Sequence, residues 1–365
     1  MTDPQHDFWS PLLASPGGGV PVALRLLSKG GRPFLALPAA ARPALAVLTL
    51  YPAQSARARA AKRILGWLIR CGVSAGTMPA RVMVDPGDPF IACLASVAGL
   101  NPGAVPACGI LAGNPGSAGR RFVVLLFDRA GRPAAVVKAG LTSEARALIR
   151  TEASFLDQIV GRLAGIPVTR TRFEGERATA LALDFFPGGP TLPDHEASLP
   201  ALLRPWVDRK RTLPIESAPE WRRLAAVAAT DRLWPGLAAA VRGRAVHPAV
   251  THGDLTPWNI RVSPGGVWTV LDWERGVLDG IPAWDWFHYL VQVAILVERR
   301  NLAGLVDRAE ELLAAPAFRQ YAAEAGITGC ERELFLAYLL HSVEVIRPTE
   351  GRAITRELLN AMAAR

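Results

Sequence analysis

Residues 251–259 read THGDLTPWN, and thirteen residues after Asn259 comes Asp272, followed by Trp273 and Glu274. Phosphoryl transfer needs few parts. One carboxylate takes or orients the proton of an attacking hydroxyl, and hard oxygen ligands hold a magnesium ion on nucleotide phosphates. Asp254 suits the first task, and Asn259 with Asp272 suits the second. Glu274 either supports the metal or faces solvent; the two readings are even. The spacing has a geometric reason. Apolar runs at 260–262 and 267–271 flank the turn 263–266, so a hairpin returns Asp272 to the side of Asn259. The competing reading is an ordinary exposed loop that matches by chance. Five specified residues at about one in twenty each, tried at every start along the chain, make that roughly a one-in-ten-thousand event.

A second pair lies upstream. Glu152 sits four residues after Leu148 and four before Leu156, on the apolar face of a predicted helix. Lys138 sits within the apolar strand 133–139. An unpaired buried charge is costly, so pairing satisfies both groups and aims the ammonium at nucleotide phosphates. The alternative is a snorkelling Lys and a solvated Glu. Asp184, Phe185 and Phe186 close a strand and offer backbone groups to an adenine, unless they are a plain buried strand end.

The elements that must position these residues are legible from residue 107 onward. Strands are expected at 108–113, 121–128, 133–139, 168–173 and 178–186, with a helix opened by Ser143 and ended near Gly165 and Pro167. The stretch 187–190 (PGGP) reads as a hinge, and a mostly helical half lies beyond it. Before residue 107 the signals are weaker. Strands are expected at 33–38 and 45–51, a helix opened by Ser55 runs to about Cys71, and 79–106 is punctuated by Pro and Gly. The pattern divides into an accessory domain at 1–106, a five-stranded lobe with one helix at 107–186, and a helical lobe at 187–365.

The HGDLTPWN segment with Asp272-Trp-Glu resembles the aminoglycoside phosphotransferase and choline kinase family, small-molecule relatives of the protein kinases. The resemblance spans roughly residues 108–290. It implies an α+β, bilobal, protein-kinase-like fold, with an N-terminal domain that it does not cover. It implies Asp254 as catalytic base, Asn259 and Asp272 as Mg²⁺ ligands, and His252 as loop scaffold. Lys138 and Glu152 match the family's lysine–glutamate pair, and Asp285 resembles a position that braces the catalytic loop. Gly253 stands where protein kinases carry Arg, which points to small-molecule kinases. The phosphate loop is less regular: Gly109, Gly113, Gly116 and Gly119 make no GxGxxG, and Pro115 removes an amide donor. Gly116 and Ser117 are its candidates. No DFG, no APE and no activation segment follow Asp272, which disfavours a protein kinase. A catalytically idle nucleotide-binding scaffold is disfavoured because all five polar residues of the site are present.

Composition sets the outer limits. Of 365 residues, half are hydrophobic and 20% charged, and Gly with Pro make up about 17%, below the range of low-complexity chains. Cys71, Cys93, Cys108 and Cys330 are scattered, with neither disulfide nor zinc spacing, so a reducing, cytoplasmic setting is expected. Residues 1–7 are polar and carry no apolar leader. His195, His247, His288 and His341 lack ligand spacing and read as surface or core residues. Net charge is +9. Its spread, basic in front and mildly acidic behind, does not make a nucleic-acid stripe. The basic amphipathic stretch 55–70 either touches an anionic membrane or packs as a solvated face on its own domain. The expected reaction is ATP- and Mg²⁺-dependent phosphorylation of a small-molecule hydroxyl. The sparse acidity favours a sugar or glycan intermediate over a polycationic aminoglycoside.

Overall fold

Strands that are apolar on both faces need cover on both faces, and the first of two units in the chain supplies it. A computed structural model describes residues 10–13, 18–51, 53, 56–73, 76–113, 119, 121–191, 193–348 and 350–365. One unit comprises Met1–Val160 with Ile166–Pro187, and the other Gly161–Gly165 with Gly188–Arg365.

In the first unit, α1 (Ser10–Leu13), β1 (Val20–Lys29) and β2 (Arg32–Pro38) precede α2 (Ala41–Val47) and α3 (Ala56–Arg70). Then come β3 (Met78–Val84), α4 (Pro89–Val97), β4 (Cys108–Ala112), β5 (Arg121–Phe127), β6 (Pro133–Gly140), α5 (Ser143–Ile159), β7 (Thr169–Glu174) and β8 (Thr179–Asp184). The strands form a single eight-stranded antiparallel sheet in the order β3-β1-β2-β4-β5-β6-β8-β7. On one face Leu24, Phe90, Ile110, Val124 and Ala180 belong to one cluster. On the other, Leu35, Leu37, Leu125 and Phe127 meet Val47 of α2 and Ile69 of α3.

The sequence set residues 1–106 apart, but hydrogen bonding joins them to the strands beyond. β2 pairs with β4 through Leu35 with Leu111 and Ala36 with Ile110, so the sheet and its core run across residue 107. The expected strand at 45–51 is the end of α2 and a 3₁₀ turn, Leu48–Leu50. An unbroken apolar run does not distinguish strand from helix. Pro43, Ala44 and Val47 recur at helical spacing and bury one side. β1 went unseen, and Pro and Gly density obscured β3 and α4. In α4, Asp88 caps the helix by accepting from Phe90 N at 2.8 Å and Ile91 N at 3.2 Å, with Pro89 in the first turn. Ser55 and most of the 114–120 loop lie outside the described residues. α5 is capped by Thr142 rather than Ser143, since the Thr142 hydroxyl accepts from Ala145 N, and it ends at Ile159 ahead of Gly161.

The Lys138–Glu152 pair is formed. Lys138 Nζ on β6 donates to Glu152 Oε1 on α5 at 2.5 Å, and the residues are 5% and 0% exposed.

The second unit is mostly helical. Short β9 (Leu213–Pro214) and β10 (Ala245–Val246) pair, as do β11 (Ala249–Thr251) with β14 (Val277–Gly280) and β12 (Ile260–Val262) with β13 (Trp268–Val270). Around them lie α6 (Leu199–Leu203), α7 (Pro219–Ala228), α8 (Trp234–Val241), α9 (Trp284–Gln292), α10 (Leu302–Ala314), α11 (Pro316–Ala325), α12 (Glu331–His341) and α13 (Arg352–Ala363). Every residue of α9 is buried, so it is the central helix. Edge-to-face aromatic contacts hold its neighbours: Phe287 on Phe335 and Trp286 on Phe318. Among the described residues no helix is long and apolar enough to cross a membrane.

Removing one partner of a buried ion pair strands the other charge, at a cost of about 3–5 kcal/mol. Glu152→Ala and Lys138→Ala are each expected to lower thermal stability by that order. The double variant should cost much less than the sum. Additive losses in a melting-temperature cycle would count against the pair.

Candidate active site

The loop after β11 is shaped by one carboxylate. Asp285, near the start of α9 and 5% exposed, accepts from His252 N at 2.6 Å and Gly253 N at 2.9 Å. Burial pushes the Asp285 carboxyl up from its ordinary range, while the charge of His252 and these two amides pull against that shift. Gly253 has φ +76, and a Cβ there would lie 2.8 Å from Arg275 O. Only glycine fits without displacing backbone, which is why a side chain is absent at this position.

His252 ties the loop to the hairpin. Its Nε2 lies 2.7 Å from Leu271 O, so it must donate, which leaves Nδ1 to accept from Asp254 N at 3.2 Å. Its ring stands edge-on to Trp273 with centroids 4.7 Å apart. The hairpin forms as the spacing required. Ile260 pairs with Val270, and Leu271 N donates to Asn259 O at 2.7 Å, which brings the backbone of Asp272 next to that of Asn259. Asp272 is in the left-handed region, φ 69 and ψ 54. Non-glycine residues persist there only when surrounding contacts over-determine them, and such residues cluster at functional sites.

The donor set fits a hard cation. Asn259 spends its amide N–H on Asp254 O at 2.9 Å, so its Oδ1 is the atom left for a metal. Asp272 adds an anionic oxygen, and no soft ligand intrudes. Arg261 on β12 acts on the same carboxylate: burial lowers its guanidinium, and the Asp272 charge opposes the shift.

Asp254 itself is half-buried. Burial pushes its carboxyl up, but the hydrogen bond and charge of His288, with Arg275 and His252, outweigh that and hold it below the ordinary range. His288 Nε2 lies 3.1 Å from Asp254 Oδ1, and its Nδ1 lies 3.1 Å from the Tyr338 hydroxyl. An ionised carboxylate only accepts, so Nε2 carries the hydrogen. The sequence placed His288 among surface or core histidines. It is a buried partner of Asp254, and the signal was available: His288 is three residues past Asp285, on the same helix face. Nothing in the sequence pointed to Tyr338 on α12.

Beside the loop is a cavity of about 320 Å³, lined by Glu220, Arg223, Gly253, Glu274, Trp284 and His341 among others. Glu220 accepts from the Thr251 hydroxyl at 2.7 Å, and burial raises its carboxyl. Burial lowers His341 to about 3, so the ring is neutral.

Other sequence candidates fall elsewhere. Lys138 and Glu152 meet within the first unit. Gly116 and Ser117 lie outside the described residues. Asp184 is engaged in the sheet: its N–H donates to Val168 O at 3.1 Å and its carboxylate pairs with Arg170 at 2.5 Å. Phe186, beyond β8, makes no backbone hydrogen bond among the described residues. His195 sits against Trp268, and His247 Nδ1 meets Arg211 O.

A family model described as "Phosphotransferase enzyme family" matches residues 39–323. Similar solved structures include a protein of Ralstonia eutropha JMP134, assigned provisionally to the aminoglycoside phosphotransferases. It is 13% identical, covering 74% of this chain and 95% of that one at a TM-score of 0.46. A second, from Haemophilus somnus 129PT and assigned provisionally to the fructosamine-3-kinases, is 12% identical and covers 75% and 96% at 0.46. A third is the aminoglycoside phosphotransferase APH(3'')-Id of Streptomyces rimosus ATCC10970 with ADP and streptomycin, 18% identical, covering 60% and 88% at 0.39. No match is found among curated proteins.

Asp285→Ala leaves two amides of the loop without an acceptor, each costing about 1–3 kcal/mol. Stability is expected to fall by at least about 2 kcal/mol, and hydrogen exchange at His252 and Gly253 to accelerate. Unchanged exchange at both amides would show that the loop is held by something else.

Proposed function

The chain belongs to the phosphotransferase enzyme family, and on that premise we propose that it transfers the γ-phosphoryl group of ATP, with Mg²⁺, to a hydroxyl of a small molecule. One observation carries the reading: Asp254, held below its ordinary pKa range, sits on a loop fixed by Asp285, while a hairpin brings Asn259 and Asp272 together beside it. Such a carboxylate is ionised at neutral pH, so it accepts the hydroxyl proton as the acceptor oxygen attacks. Lys138, fixed by Glu152, is assigned to the nucleotide phosphates, and the backbone at Phe186 to the adenine. When bound, Mg²⁺ neutralises phosphate charge, with Asn259 and Asp272 as its protein ligands. His288 is a positioning residue. Its hydrogen bond occupies Oδ1 of Asp254 and leaves Oδ2 to face the acceptor, with Asn259 Nδ2 at 3.4 Å.

We assign the acceptor to the class of neutral or anionic hydroxyl compounds, such as a sugar or glycan intermediate. The cavity beside the loop supports this. Its arginines, Arg223 and Arg275, offset its carboxylates, and Asp285 and Glu220 already accept hydrogen bonds from the protein. Little negative charge is left to draw in a polycation.

Asp254→Asn is expected to lower kcat by about 10²–10⁴-fold and to leave nucleotide affinity intact. Asp272→Ala is expected to weaken binding of ATP in the presence of Mg²⁺, read by titration calorimetry. An Asp254→Asn variant with more than about a tenth of wild-type turnover removes the base assignment. Equal Mg·ATP affinity in Asp272→Ala removes the metal assignment.

His288→Leu leaves the burial of Asp254 unopposed by its main hydrogen bond, so the carboxyl pKa rises. The acid limb of the kcat–pH profile should then move to higher pH, with the KM for ATP unchanged. A uniform loss of rate at every pH, with the limb unmoved, would mean that His288 only supports the fold.

A further inference from the structure

A charge asymmetry in the first unit lies outside this chemistry. Residues 8–84 contain ten Lys or Arg and no Asp or Glu. Five of the ten, Arg57, Arg59, Lys62, Arg63 and Arg70, are on or at the end of the single helix α3.

α3 is apolar on two sides. The inner side docks: Ile69 is 2% exposed and Leu65 packs against the same cluster as α2. Gly66 lies on this side too, facing the Leu45 and Leu48 side chains. The outer side is a separate stripe. Ile64 is 61% and Trp67 63% exposed, and Ala60 and Cys71 extend the same stripe one turn in each direction. Core packing does not explain an Ile and a Trp turned outward together. Arg63 and Arg70 line one edge of this stripe and Arg57 stands at its start, and none of the three pairs with a carboxylate among the described residues.

The sheet face against which α2 and α3 pack carries arginines of its own. β1 and β3 pair Arg25 with Pro79, Ala23 with Arg81 and Pro21 with Met83, while Arg25 also lies opposite Leu37 of β2. Leu37 belongs to the face covered by α2 and α3. Arg25, Arg81 and Met83 therefore share that face, at the edge the helices leave uncovered, and Arg81 and Met83 are exposed.

We infer that the outer stripe of α3, with the neighbouring arginines, is a docking surface for an anionic lipid bilayer. An interfacial helix needs an apolar centre for the headgroup boundary, an aromatic ring with a polar edge, and flanking cations for acidic lipids. Ile64 and Trp67 supply the first two, and Arg57, Arg63 and Arg70 the third. Each basic residue near an anionic surface contributes about 1 kcal/mol of attraction. A nucleic acid is met differently, by cations at the centre of the footprint along the phosphate track. Here the centre is apolar and the cations are marginal, so the bilayer is the better fit.

The test uses the full chain and vesicles of two compositions, phosphatidylcholine alone and phosphatidylcholine with about a third phosphatidylserine. Sedimentation should show binding to the anionic vesicles, little to the neutral ones, and release as salt rises. Arg63→Glu with Arg70→Glu should reduce binding to the anionic vesicles by about tenfold or more. Trp67→Ser should weaken binding to them without altering its salt dependence. Both sites are exposed, so melting temperatures should stay at the wild-type value. Equal binding to both vesicle types, absence of binding to either, or wild-type binding by the double charge reversal overturns the proposal. So does binding of a single-stranded homopolymer that both variants lose, with the vesicles ignored.

Discussion

Two adjacent amides, His252 N and Gly253 N, point into the interior of the helical unit, and the Asp285 carboxylate answers both. The site depends on that capture. With the amides held, the left-handed Gly253 turns the chain and Asp254 emerges half-buried. Asp285 is the first-turn acid of α9, so the loop is anchored to the helix at the centre of the unit's core. Three residues on, the same helix presents His288 to the Asp254 carboxylate. One helix therefore fixes the backbone of the loop and orients its functional group. A buried carboxylate costs desolvation energy, and two short hydrogen bonds from backbone donors are the kind of compensation that makes it tolerable.

The second constraint is the hairpin. Pairing of β12 with β13 is short, three residues a side, yet it decides where Asp272 stands. Leu271 is at the junction: its N–H goes to Asn259 and its carbonyl accepts from His252. Loop, hairpin and the strained Asp272 backbone thus share one residue's hydrogen bonds. Substitutions at Leu271 that alter the backbone should disturb both candidate ligands together.

Local chemistry was the legible part of the sequence. THGDLTPWN, the distance to Asp272 and the buried pairing of Lys138 with Glu152 rest on spacing and on the cost of unpaired buried charge, which act over few residues; the bracing role of Asp285 came from the family resemblance alone. His288 was missed because its partner lies 34 residues away in sequence; its place three residues past Asp285 on one helix face was the available signal, and the packing of α9 against the loop makes the contact. Residues 1–106 were misread for a similar reason. Their strands pair across β2 and β4, a contact between Leu35 and Leu111 that no local pattern encodes. At 45–51 a continuous apolar run carried no periodicity, so the helical spacing of Pro43, Ala44 and Val47 was hidden within it. The basic helix was visible in its composition, but two readings stayed open until the outward direction of Ile64 and Trp67 separated inner from outer face.

Transfer of label measures the central claim most directly. Wild-type protein and Asp254→Asn would each be incubated with γ-³²P-labelled ATP, Mg²⁺ and a panel of sugars, amino alcohols and aminoglycosides, and small-molecule products separated from nucleotide. On the proposed mechanism the wild type yields a labelled hydroxyl compound, dependent on Mg²⁺ and lost in Asp254→Asn. Label that reaches no acceptor in the panel, or that reaches one equally well without the Asp254 carboxylate, would contradict it.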